Sequence, residues 1–410
     1  MEAIRRFLGV RDLFMMSLCL YLCMNSWERV VRAMELGVPD RVPLYEMAPS
    51  PRIVAGVLGV SEGEVLVNNP RIFYDLLASG RKLDLEKFNE RLVDQIMLFH
   101  EKLGLDWIRV YGTYTPVCAS FELPKEVKKI DDDTWLIDGK RQRWTGESMW
   151  NLDEPETYDP DELLKTYREA EVEPPNPMIY TSLRAIVKRS KGKFFVSFDA
   201  DGTWGPIVSN PNLLRHVLIW VYTRPDVVEA IIDYNTRIAI EWGKGAIDEG
   251  ADAIQLCVDY GTKNGPWLSP EMFRKFVKPA LKRHVDAFRK KGAFVVLHSD
   301  GYIMQILEDV VDAGVNAYQG IDVVAGMDLR EVKERFGDKI CLVGNVDPRI
   351  IEYGTKEDVA REVDRCLRDG ARGGGYILST SANVSTETNV ENFVFMLEYA
   401  KKRGVYHQPR

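Results

Sequence analysis

The side chains best placed for chemistry lie in polar runs that directly follow apolar ones. The clearest case is His298-Ser299-Asp300-Gly301, immediately after Ala293-Phe294-Val295-Val296-Leu297. An imidazole titrates near neutrality, so His298 can act as acid, base or metal ligand. Asp300 has two readings, as a carboxylate working with His298 or as the N-cap of a following helix. A second run, Asp259-Tyr260-Gly261-Thr262-Lys263-Asn264-Gly265-Pro266, puts a carboxylate, a phenol and a glycine-rich turn in one loop. Asp259 reads as a brace for this turn or as a site carboxylate, so His298, Asp259 and Asp300 are the candidate catalytic groups of one acidic site. The same three residues, His298, Asp300 and Asp259, are candidate ligands for a metal.

Other candidates are less specific. Asp199 and Asp201 sit in Phe198-Asp199-Ala200-Asp201-Gly202-Thr203-Trp204, where each reads equally well as a turn former. Asn345 and Asp347, after Val343-Gly344, are balanced in the same way. Glu46, Tyr111 and Ser379 end further β-rich runs and complete a substrate-binding set with Asp199, Asp201, Asn345 and the rings of Trp204, Tyr260 and Tyr302. Such rings suit a flat apolar ligand, although packing of loops onto one another explains any single ring as well.

Positioning these groups requires a scaffold that gathers distant strand ends. Eight short β-rich runs are followed by polar or glycine-rich residues, at 42–47, 106–111, 194–198, 253–258, 293–297, 316–321, 340–343 and 375–378. Between them lie amphipathic stretches at 270–291, 303–313, 329–336, 356–369 and 390–402; in the first, Phe273, Phe276, Val277, Leu281, Val285 and Phe288 recur at spacings that form one apolar stripe. Strand and helix alternation of this kind predicts an α/β fold, a (β/α)8 TIM barrel, with its site at the C-terminal ends of the strands. An insertion at 117–176, after the second strand, departs from the alternation. Its Asp138-Gly139, between Thr134-Trp135-Leu136-Ile137 and Arg141-Gln142-Arg143-Trp144, predicts a β-hairpin. The insertion is expected to cover part of the barrel mouth.

Bulk properties narrow the function classes. Of 410 residues, 45% are hydrophobic and 28% charged, as in an ordinary globular protein, so one barrel at 24–410 is the expected domain. A net charge of -8 without a basic block argues against nucleic acid or an anionic membrane as partner. The six cysteines are scattered, which fits a reducing, cytoplasmic setting better than a disulfide framework. Residues 1–23 contain an apolar run, 14–23, too short to span a bilayer; they read as an extension ahead of Met24.

Several motifs together resemble the uroporphyrinogen decarboxylase superfamily. Asn25-Ser26-Trp27-Glu28-Arg29-Val30 with Pro39-Asp40-Arg41-Val42-Pro43 is similar to its N-terminal signature. The stretch from Gly265 to Phe273, the His298 tetrad, Ala325-Gly326-Met327-Asp328-Leu329, Gly344-Asn345-Val346-Asp347 and Gly375-Tyr376-Ile377-Leu378-Ser379 follow its barrel motifs in order. The resemblance implies one of two chemistries, decarboxylation of a tetrapyrrole polycarboxylate or methyl transfer involving the cobalt of a corrinoid protein. Decarboxylases of the superfamily carry an arginine-containing stretch after the first strand. Here that place reads Glu46-Met47-Ala48-Pro49-Ser50-Pro51-Arg52, and clustered carboxylates would repel a polyanion.

The resemblance therefore points to the cobalamin-dependent methyltransferase and O-demethylase branch. Its implied donor is a small methylated compound, its acceptor a corrinoid (cobalamin) on a partner protein, and its assembly a homodimer. Thiol-methylating members bind zinc through His-x-Cys and a later Cys. This chain has His298-x-Asp300 and, later, Ser379-Thr380-Ser381-Ala382-Asn383, so the usual zinc-thiolate set is missing. The alternatives are a tetrapyrrole decarboxylase, a methylcorrinoid-to-thiol methyltransferase, and a barrel that binds a corrinoid or tetrapyrrole without catalysis.

Overall fold

The structure, a computed structural model, describes residues 24–81, 83–110, 123–146, 149–153 and 157–406. Tyr111 and residues 1–23 lie outside the described residues. Seven strands form one parallel sheet in chain order: β1 (Trp107–Val110), β2 (Phe195–Asp199), β3 (Ala253–Cys257), β4 (Phe294–Ser299), β5 (Ala317–Gly320), β6 (Cys341–Val343) and β7 (Tyr376–Ile377). The sheet curls until segment 43–45 bridges its edges. On one side the Leu44 carbonyl accepts from Asp106 N at 2.9 Å; on the other, Tyr45 N donates to the Leu378 carbonyl and Leu378 N to that of Pro43, both at 3.0 Å. The run expected as the first strand is thus present as a closing bridge rather than a ladder strand, and Pro43, having no N–H, shortens the pairing it can make.

Alternation along the strands separates two cores. In β4, Val295 and Leu297 face the helices, whereas Val296 joins Tyr45, Trp107, Phe195, Ala253, Ala317, Cys341, Val343 and Ile377 inside the ring. A closed barrel of this size is filled by such side chains, so its interior is a packed floor and not a pore. Val30, Ala33 and Met34 of helix Ser26–Met34 seal the base.

An ion network locks that helix in place. The fully buried Asp106 carboxylate accepts from Arg29 Nη1 at 2.7 Å, Arg41 Nη1 at 2.8 Å and Leu44 N at 2.8 Å, while Arg29 also pairs with Asp40. The N-terminal motif around Arg29 and Asp40-Arg41 is therefore a structural clamp at the end opposite the site.

Two helices depart from expectation for identifiable reasons. The stretch 270–291 is helical, but Phe273–Val277 takes a π-helical turn between Pro270–Met272 and Lys278–Lys290. Pro279 cannot donate to a carbonyl one turn back, and its ring would crowd that carbonyl; a widened turn relieves both problems. The helix expected from 303 begins only at Leu307. In the insertion, Asp138 and Gly139 have φ of 48° and 82°, the paired left-handed residues of a two-residue hairpin, joining Thr134–Ile137 to Lys140–Trp144. Val127–Lys129 and Met149–Asn151 extend this hairpin to a four-stranded antiparallel sheet. Among the described residues no helix is long and apolar enough to cross a membrane.

Candidate active site

Inward parity carries through the upper half of the barrel, where the side chains become polar. His298 of β4 lies beside Cys257 of β3 on one side and Gln319 of β5 on the other. Arg109 of β1 and Asp199 of β2 have the same orientation, and the guanidinium Nε of Arg109 donates to Asp199 Oδ1 at 2.9 Å, with Nη2 bonding the other oxygen. Asp259 and Asp300 come from the loops after β3 and β4.

Glycine brings these two loops together. A Cβ on Gly301 would lie 2.4 Å from the Gly261 carbonyl carbon, and Gly301 has φ of +83°. Only glycine meets both the close approach and the left-handed backbone. Contact between the loops sets Asp300 N against Asp259 Oδ1 at 3.0 Å.

The imidazole of His298 is the centre of the cluster. Its Nε2 lies 3.6 Å from Asp259 Oδ1 and 4.0 Å from Asp300 Oδ2, and its side chain is 4% exposed. Its Nδ1 is hydrogen-bonded to the Gln319 amide oxygen. An amide oxygen only accepts, so Nδ1 carries the proton and Nε2 is directed at the carboxylates. Gln319 is oriented in turn by donating from Nε2 to the Thr380 carbonyl at 3.5 Å. Thr380 donates from N to Glu46 Oε1 at 3.2 Å and lies 2.7 Å from Oε2 through its hydroxyl. A polar chain thus runs from Glu46 to His298.

Burial raises the Asp300 carboxyl to about 6; Asp259 and Asp322 push the same way while His298 pulls against them. Its Oδ1 is buried without a hydrogen-bond partner among the described residues. Because the next helix starts at Leu307 with Ile306 as its cap, Asp300 is not an N-cap. Burial pushes the neighbouring Cys257 thiol up to about 12, so it remains a neutral thiol at physiological pH.

Asp259, His298 and Asp300 line a cavity of about 430 Å³ together with Arg109 and Cys257. The facing wall is formed by Met47–Pro51, Asn68–Pro70, Trp144, Gly146 and Met149, so the insertion does reach the mouth. The donor set, one nitrogen and two carboxylates with an orphaned oxygen, fits a divalent cation that accepts oxygen ligands, whereas among the described residues no cluster offers the two cysteines of a thiolate zinc site.

Several expected binding residues are placed elsewhere. Trp204 and Tyr260 are 1% and 2% exposed and packed into the protein, with Tyr260 against Phe273. Tyr302 packs against the core and is not in the cavity wall. Asp201 braces its own turn by accepting from Thr203 N and Gly205 N. Asn345 links the Ile321 carbonyl to Arg365 from a fully buried position, and Asp347 caps helix Pro348–Tyr353. Ser379 is fully buried and is not in the cavity wall, and Glu46 reaches the site through Thr380. Asp199 meets the cavity through Arg109. Among the described residues the aromatic surface that does face the cavity is Trp144, from the insertion. Arg109, Gln319 and Cys257 lie inside strands, where no motif marks them; their shared parity with His298 is the signal that points to them.

Comparison with known proteins adds to this geometry. Residues 208–403 match the family profile described as Uroporphyrinogen decarboxylase (URO-D). Uroporphyrinogen decarboxylase of Chlorobium luteolum is 25% identical over 192 residues, 46% of this chain and 52% of that protein. The Neisseria meningitidis serogroup C protein of the same name is 25% identical over 189 residues, 45% of this chain and 51% of its own. The chain spans about half the length of the curated relatives it matches. A methyltransferase from Methanosarcina mazei superposes with a TM-score of 0.66 at 18% identity, over 93% of this chain and 99% of that one, a likeness of fold. The stretch that matches the uroporphyrinogen decarboxylase profile, 208–403, holds Asp259, His298, Asp300 and Gln319, in line with the motif resemblance.

Proposed function

We propose that this protein transfers a methyl group from a small methoxylated aromatic compound to the cobalt of a corrinoid carried by a partner protein. The carrying observation is the cavity itself. At about 430 Å³ it has the size of a small-ligand site, with an apolar wall of Met47, Trp144 and Met149 facing an imidazole and two carboxylates. Among the described residues its one basic side chain is Arg109, already engaged with Asp199. A tetrapyrrole polycarboxylate would need several cationic partners there, which weighs against decarboxylation.

The corrinoid supplies a cobalt(I) nucleophile for the methyl carbon. The carbon–oxygen bond breaks, its electron pair stays on the donor oxygen, and a proton from solvent completes the phenol. A phenolate is a poor leaving group at neutral pH, since phenols ionise near about 10. The protein's task is to neutralise the developing charge, and His298 with its carboxylates is the place where this can happen. Gln319 holds the imidazole in the required orientation, and Trp144 and Met149 flank the ring of the donor. The hollow outside the cavity, about 1170 Å³ and sharing Pro51, Asn69, Trp144 and Gly146 with it, leaves a bulky cofactor room to approach.

The test is anaerobic incubation of purified protein with cob(I)alamin and a panel of methoxybenzoates, methoxyphenols and methylamines. The expected result is loss of cob(I)alamin absorbance matched by release of a demethylated phenol, at least ~100-fold slower in His298→Ala. Transfer from no donor, or release of CO2 from uroporphyrinogen, would overturn the reading; the curated relatives' name makes the second assay necessary.

A further inference from the structure

We propose that the outer hollow is a second subsite, where Arg81 and Arg143 hold a carboxylate at the far end of the methyl donor. This deepens the reading above by naming the substrate class, an aromatic acid whose methoxyl and carboxylate groups lie at opposite ends. Its role as donor rests on that reading; the binding of the anion does not.

The hollow measures about 1170 Å³ and the inner cavity about 430 Å³, and the two share Pro51, Asn69, Trp144 and Gly146. A ligand lying against the Trp144 indole can therefore extend from one into the other. The charged lining of the hollow is Glu62, Arg71, Asp75, Arg81, Asp133 and Arg143. Arg71 pairs with Asp133 at 3.1 Å, and Asp75 accepts from Lys129 Nζ and Trp135 Nε1, both at 2.9 Å. Arg81 and Arg143 enter no ion pair among the described residues, although Arg143 lies in the field of the exposed Asp131 carboxylate. Glu62 offsets one of these two charges, so the hollow keeps a positive surplus in a chain whose net charge is -8. A guanidinium offers a planar fork of donors that matches a carboxylate. Both arginines come from beyond the strand ends, Arg143 from strand Lys140–Trp144 and Arg81 from the residues after helix Pro70–Ala78.

A second observation lies where the two spaces meet. Asn69 is the N-cap of helix Pro70–Ala78, a position where an asparagine oxygen ordinarily accepts from the first N–H groups of the helix, yet its side chain makes no such bond. Its Nδ2 donates to the Glu62 carbonyl at 3.1 Å, while its Oδ1 has no partner among the described residues although Asn69 is only 8% exposed. An unpaired buried acceptor is costly, and a hydroxyl or amide N–H of a ligand passing through the neck would supply the missing proton.

The experiment is calorimetry on the full-length protein without cobalamin, comparing methoxybenzoate, methoxycinnamate and methoxyphenylbutanoate with their primary amides. The longer acids are expected to bind at least ~10-fold more tightly than their amides, a gap that narrows at high salt and shrinks to about twofold or less in Arg81→Ala and in Arg143→Ala. Arg143→Lys, which keeps the charge, should retain part of it, and thermal melts check that each variant is folded. Equal binding of acid and amide, no binding of either, or a gap unchanged in both alanine variants would overturn the subsite. Weaker use of cob(I)alamin by the variants at unchanged donor affinity would assign the arginines to the cofactor and overturn it as well. A carboxylate preference without methyl transfer from any donor keeps the subsite and sinks the proposed function; transfer from acid and amide bound equally well does the reverse.

Discussion

Among individual side chains, Glu46 is held far from its ordinary chemistry. Removal from water raises its carboxyl to about 8, with only the Thr380 contacts opposing the shift. The folded protein therefore binds this proton more tightly than the unfolded chain, whose glutamate titrates near 4.5. Stability from this group is full below about 4.5 and declines as pH rises towards about 8. Glu46→Gln should remove the decline: urea unfolding would show little change at pH 4.5 and a gain of ~1–3 kcal/mol at pH 8. A loss at both pH values would mean that the carboxylate itself is required. Gln319→Leu should act differently, freeing the imidazole and slowing the proposed transfer ~10–100-fold while the melting temperature moves little. Nitrogen-15 spectra of His298 would show the tautomer change directly. His298, Asp259 and Asp300 were legible because polar residues after an apolar strand face the bowl, whereas Arg109 and Gln319 sit within strands. Their direction depends on a register that motif reading leaves open.

At the scale of elements, the loops after β3 and β4 carry the site, and their contact depends on glycine. Gly301→Ala places a Cβ against the Gly261 backbone and strains a left-handed residue, so it should separate Asp259 from Asp300. Activity should fall at least ~10-fold, with a stability loss of about 1–2 kcal/mol seen in the same unfolding curve. At the other end, Asp106→Asn breaks a buried cluster with Arg29 and Arg41 and should cost about 3 kcal/mol by denaturant titration without a specific effect on substrate affinity. Helix existence followed from apolar periodicity at 329–336, 356–369 and 390–402. The late start at Leu307 and the π turn at Phe273–Val277 did not, since periodicity records which face is buried and not which backbone bonds a proline or a tight loop prevents.

Across the whole molecule, alternating strands and helices were enough to predict the ring, because parallel strands with amphipathic crossovers close in few ways. The wall of the cavity was less legible. It is assembled from three distant stretches whose meeting is a tertiary event, and the aromatic surface expected from Trp204, Tyr260 and Tyr302 is supplied instead by Trp144. If the proposed donors are the substrates, Trp144→Ala should raise KM for methoxyaromatics several-fold while kcat changes less, measured across donors of increasing ring size. That division of labour has a further consequence. The donor groups lie between Cys257 and Gln319, inside 208–403, while most of the remaining described lining, Met47–Pro51, Asn68–Pro70, Trp144, Gly146 and Met149, lies outside that stretch, with Asn383 and Val384 the exceptions. Reactivity and selectivity are written on separate lengths of polypeptide, so exchanging the first 150 residues with those of a sister protein should retune which molecule is accepted and leave the bond-breaking apparatus as it was.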